Sequence, residues 1–153
     1  MYTRDETKQI KEKFWTKFGQ FMALSANSEG DRVNWVNYKT GIKHLYFRMD
    51  AGHKSASILI QMDHPDIGIR ALMMEQFEQY RLLLTGMLGE EWSWSENDVD
   101  SYGKKWSSIS ATLTGVSIFR EEDWPDLMTF FKSRMLILDE FWNDAKHGFD
   151  LFG

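Results

Sequence analysis

A chain of 153 residues, 42% apolar and 15% aromatic, has material for one core of its own and is too rich in rings for a disordered segment. Eighteen Lys and Arg against twenty-three Asp and Glu leave a formal charge of −5, the wrong sign for gripping nucleic acid over the whole surface, though a local basic face stays open. Lack of cysteine excludes a disulfide scaffold, thiolate chemistry and Cys-bound zinc, and with no apolar leader and no run of about eighteen apolar residues the chain reads as cytoplasmic and non-membrane.

The first periodic segment sets Ile10, Phe14, Phe18 and Phe21 at helical spacing, with Lys8, Lys11, Glu12, Lys13 and Lys17 on the other faces. Thr3 followed by Glu6 forms a capping box, so this helix is expected from about Arg4 to about Ala26. Residues 27–34 are polar and contain Gly30, which predicts a loop leading to Trp35 and Tyr38. From Ile42 the period becomes two: Leu45, Phe47 and Met49 alternate with His44, Tyr46, Arg48 and Asp50. A turn containing Gly52 leads to a second alternating run, Ala56, Ile58, Ile60 and Met62 against Ser57, Leu59 and Gln61, and the two runs make a hairpin.

Asp63, His64, Pro65 and Asp66 read as a helix entrance, and one helix is expected over 67–88, stopped by Gly89. Trp92 and Trp94 then alternate with serines, an acidic turn is expected over 96–100, and Trp106 to Thr114 completes a second hairpin. Asp123 is the expected N-cap of a last helix whose stripe is Leu127, Phe131, Leu138, Phe141 and Trp142, ending near Lys146 and Gly148. The whole is a single α+β domain over 1–153, in the order helix, hairpin, helix, hairpin, helix. Its antiparallel sheet carries the helices on one face, and the two halves loosely suggest a duplication.

The strings Phe14-Trp15, Gly41-Ile42-Lys43-His44, Tyr46-Phe47, Gly89-Glu90 with Trp92 and Trp94, Asp123-Trp124-Pro125 and Asp139-Glu140-Phe141-Trp142 resemble the bacterial family called domain of unknown function 4268 (DUF4268). The resemblance runs from about Lys13 to about Lys146. Members stand alone or follow a nuclease-like region, so it implies a DNA-related or defence setting. It supplies no catalytic residues, and this chain shows no such N-terminal region.

Catalytic patterns are sparse. A metal-dependent nuclease needs an Asp and an Asp/Glu-x-Lys on adjacent strands, whereas Asp50 is followed on the next strand by Gln61-Met62-Asp63. The cluster at Asp63, His64 and Asp66 is better explained by helix capping, and Asn97, Asp98 and Asp100 lack the later Glu of a Ca²⁺ loop. His44, His53, His64 and His147 show no ligand spacing, and there is no nucleophile elbow or phosphate loop; no metal and no cofactor is implied.

What remains is the non-core sheet face, where His44, Tyr46, Arg48, Gln61 and Trp106 are the candidate binding residues among Leu59, Ser108, Ser110 and Thr112. Such a face can dock a protein or stack bases. Cover by segment 27–41, or a homodimer contact, is favoured over nucleic acid by the acidic charge. The expected function is a non-enzymatic binding or interaction domain with an unknown protein partner, an accessory module in the setting the resemblance implies. The alternatives are a divalent-metal nuclease or hydrolase using Asp50 and Asp63, and direct nucleic-acid binding through Lys39, Lys43, Arg48 and Lys54.

Overall fold

The computed structural model describes residues 2–27 and 29–153, so Met1 and, within the expected loop, Ser28 lie outside the described residues. Helix α1 (Arg4–Met22) begins at the expected capping box: Thr3 Oγ1 accepts from Glu6 N at 3.1 Å while the Glu6 carboxylate accepts from Thr3 N at 3.2 Å. It stops four residues before the expected Ala26, because the apolar spacing ends at Met22 and the chain turns to bring Trp35 back, whose Nε1 donates to Ser25 O at 3.0 Å.

Strand β1 (Leu45–Ala51) pairs antiparallel with β2 (Ser55–Met62) from Leu45↔Met62 to Ala51↔Ala56, the expected hairpin. β1 starts at Leu45 rather than Ile42, since His44 carries a left-handed φ of 67°, which no strand residue adopts. The single helix expected over 67–88 is two, α2 (Ile67–Gln79) and α3 (Arg81–Leu88), parted at Tyr80, whose φ and ψ of −102° and 7° lie outside the helical region. The simple helix–hairpin order is thus altered in the middle. Asp66 caps α2 through Gly68 N and Ile69 N, and Gly89 ends α3 in the left-handed conformation.

Strand β3 (Ser93–Val99) absorbs most of the acidic stretch expected as a turn. The turn lies later: Asp100 Oδ1 accepts from Tyr102 N at 2.8 Å and from Lys104 N at 2.9 Å, and Gly103 supplies a φ of 79°. Strand β4 (Lys105–Thr114) completes a four-stranded antiparallel sheet of order β1-β2-β4-β3. Asp123 is not the side-chain cap of α4 (Trp124–Ala145); it sits in a short 3-10 turn, and its carboxylate accepts from Ser117 N and Arg120 Nε instead. A 3-10 segment (Lys146–Phe152) follows α4.

One core fills the space between helices and sheet. From the strands it takes Leu45, Phe47, Ile58, Ile60, Met62 and Ile109; from the helices Phe14, Phe18, Phe77, Phe131, Leu138 and Trp142. Rings interlock across α1 and α4, with Phe14 edge-on to Trp124 at 5.3 Å and Phe18 to Phe131 at 5.8 Å. Tyr38 also goes inward, stacking on Phe47 at 5.2 Å. Segment 27–41 therefore seats its aromatic residues on the core side of β1, and Trp35 and Tyr38 give the outer sheet face no cover.

Candidate outer-face binding site

Strand alternation sends Tyr46, Arg48, Leu59, Gln61, Ser110 and Thr112 away from the core, and all are exposed or half-buried. The register sets them in rungs. Tyr46 faces Gln61, Gln61 faces Ser108 and Ser108 faces Ser95; one rung on, Arg48, Leu59, Ser110 and Ser93 follow one another. Arg48 ties the two rungs together: its guanidinium lies 4.1 Å from the centroid of the Tyr46 ring, and its Nε donates to the Gln61 side-chain oxygen. A cation is thereby presented in a fixed place on an open face.

His44 belongs to the next rung outward. Asp63 N donates to His44 O at 3.0 Å, extending the β1–β2 ladder by one step, and His44 Nδ1 lies 2.9 Å from Asp63 Oδ1. Lys104, from the β3–β4 turn, donates to Asp63 Oδ2 at 3.1 Å. Asp63 is only 8% exposed, and its burial would raise its pKa, but the hydrogen bonds from Lys104 and His44 outweigh that and hold it below the ordinary carboxylate range. The Asp63 contact leaves Nε2 as the other nitrogen of a fixed ring. The His64 ring stands edge-on at 4.9 Å, with its own Nδ1 accepting from Asp66 N.

Trp106 is in register with Asp98, and Asp98 is itself held by Ser95 Oγ at 2.9 Å and Ser108 Oγ at 2.8 Å. Of the five expected site residues, Tyr46, Arg48 and Gln61 thus form one connected cluster; His44 is drawn to Asp63 and Lys104, and Trp106 stands beside Asp98. Sequence reasoning weighed Asp63 only as a helix-entrance residue and as a metal ligand of the nuclease alternative, and passed over Lys104. The register signal for Asp63 was present, since it follows Gln61 by two residues on the same face, but the helix-entrance reading absorbed it. Lys104 had no signal, because only the pairing of the second hairpin brings it there.

The ligands of the nuclease alternative do not converge. Asp50 pairs with Ser57, six residues from Asp63 along β2, roughly 20 Å at strand rise. Among the described residues, no group of three His, Asp or Glu side chains could hold a metal ion. Likewise, among the described residues no helix is long and apolar enough to cross a membrane.

Two recesses border the β1 side of the molecule. One, of about 330 Å³, opens over Tyr38, Asp139 and Trp142, with Asn34, Asn143 and Lys146 at its rim. Its floor is bonded internally: the Tyr38 hydroxyl donates to Asp139, and Trp142 Nε1 donates to Thr40 O at 2.8 Å. Burial, then the Asp139 carboxylate, pushes the Tyr38 hydroxyl pKa far up, so it stays a neutral donor. The other recess, about 430 Å³, follows β1 itself between Tyr46–Met49 and residues 36–39.

No curated protein and no solved structure matches this chain. The sequence profile described as Domain of unknown function (DUF4268) matches residues 10–146, from within α1 to the end of α4, and the chain therefore belongs to that family.

Proposed function

We propose that this domain is a non-enzymatic binding module that docks a protein partner on the outer sheet face, around Tyr46, Arg48 and Gln61. The observation that supports the reading is that a four-stranded sheet keeps one face outside the core, and that this face holds an arginine in place by a ring and an amide instead of leaving it free. Interfaces draw on such anchors, Tyr and Arg above all, with small polar residues around them. Here Ser57, Ser110 and Thr112 supply the low polar surround. The setting implied by the family resemblance, an accessory role in a bacterial DNA-related or defence system within the cytoplasm, belongs to the same proposal.

The test is the double substitution Tyr46→Ala with Arg48→Ala in the full chain. Binding to a partner co-purified with the wild-type protein should weaken about a hundredfold, the size expected when an anchor pair is removed, with the thermal midpoint nearly unchanged. Unchanged binding would remove this face as the docking site. Light scattering of the purified protein decides whether the partner is a second copy of the chain.

A further inference from the structure

The two edges of the sheet are built differently. β3, at one edge, breaks register between Ser95 and Asp98 and carries Glu96 and Asp98 there, a bulged and acidic edge of the kind that repels an added strand. β1, at the other, keeps unbroken register with β2 over all seven rungs and has neither bulge nor proline. Thr40 Oγ1 donates to Leu45 O at 2.9 Å and closes the start of the free side. Beyond it, among the described residues, no backbone or side-chain hydrogen bond reaches the main chain of 46–49 from that side. Half of the main-chain donors and acceptors of an edge strand point outward, so this stretch is a template for one more strand.

The recess along β1 has the shape and charge such a strand would require. It is bounded by Tyr46–Met49 on one side and by Val36, Lys39 and the Trp15 ring on the other, and through Trp15 and Val36 it opens into a shallow trough along α1 past Lys11, Lys8 and Arg4. Arg4, Lys8, Lys11, Lys39 and Arg48 line the two together, against Glu12 as the one lining carboxylate among the described residues, on a chain whose net charge is −5. Four strand residues span roughly 14 Å, and α1 from Trp15 back to Arg4 rises roughly 16 Å, so the track accommodates an extended segment of about eight to ten residues.

We infer that the free edge of β1 takes an extended acidic peptide of a partner protein as a fifth strand, with the outward main-chain groups of Phe47 and Met49 supplying the pairing and Lys39, Arg48 and the α1 cations selecting its carboxylates. This rests on the proposed binding role and names its ligand. Main-chain pairing gives affinity that does not depend on sequence, whereas the alternating side chains and the flanking charge give selection.

The experiment screens synthetic peptides of about ten residues against the full-length protein. One library has Asp or Glu at alternate positions and randomised residues between, a second has Lys or Arg in their place, and a short oligothymidylate is the third probe. The acidic library should enrich, and its best binder should lose at least about tenfold in affinity on Lys39→Glu with Arg48→Glu, two exposed or half-buried sites whose reversal leaves the core intact. In the wild-type protein, hydrogen exchange should slow on peptide binding at the outward amides of Phe47 and Met49 and stay unchanged along β3. No acidic enrichment, enrichment indifferent to charge reversal, or protection elsewhere each overturns the inference. Reversal-sensitive binding of the oligothymidylate without acidic peptides replaces the ligand class and leaves the binding role standing. Failure of both, with the Tyr46/Arg48 pair also silent toward the co-purified partner, removes the role itself.

Discussion

Ile58 and Leu59 are chain neighbours with opposite fates: Ile58 has no exposure and sits among core side chains, whereas Leu59 is half-buried between Arg48 and Ser110. The same holds along the whole sheet. Its inner face is held by ring and aliphatic contacts that exclude water; its outer face is held by discrete polar links, Arg48 to Gln61, Ser57 to Thr112 at 3.1 Å and Ser108 to Asp98. An inner residue acts through the volume it fills, and an outer one through the group it orients. Stability and the proposed recognition are therefore separable in this sheet, residue by residue.

The largest effect that tests this separation is Ile60→Ala. With no exposed surface, Ile60 should cost about 2–5 kcal/mol in urea unfolding, against under about 1 kcal/mol for Leu59→Ala one residue away. Equal costs would mean that the outer face is covered in solution. Next comes Asp63→Asn, at the boundary between the two regimes, expected to cost about 1–3 kcal/mol because a buried acceptor loses its charge-assisted bonds to Lys104 and His44. The native pKa of Asp63 is depressed, so its contribution is complete above the ordinary carboxylate value near about 4 and is lost as pH falls through the lower native value. Wild-type stability should accordingly drop on acidification below about pH 4, and the Asn variant should follow a flatter curve. The smallest effect is expected for Arg48→Ala, within about 0.5 kcal/mol by thermal denaturation, although the same change is central to the binding tests. A larger loss would place Arg48 among the residues that hold the fold.

How much of this could be read in advance differs by element. The hairpin over 45–62 was visible because its alternation is unbroken and its turn is short, and the α1 start because Thr3 and Glu6 form a local reciprocal cap. The break at Tyr80 was not, since the apolar spacing runs straight across it; Tyr80 and Phe149 come within 6.0 Å ring to ring, a contact that links residues far apart in the chain. The acidic stretch over 96–99 was misread because Asp and Glu are turn formers by themselves, whereas Asp98 is retained in a strand by two serine hydroxyls, one of them on β4. The face carrying Tyr46, Arg48 and Gln61 followed from strand parity. Their mutual contacts, and the His44–Asp63–Lys104 link, needed the register.

By itself, the sequence determined the class of this domain, most of its elements and which side of each strand meets the core, because these depend on periodicity and local capping, and both are short-range. Tertiary structure alone decided that β2 and β4 join at the centre of the sheet. From that follow its two unlike edges, one bulged and acidic at β3, the other regular at β1 and flanked by cations from α1 and the 36–39 segment. That decision is long-range: the outcome depends on which hairpin strands pair across some fifty residues of chain, and no local pattern encodes a partner so distant.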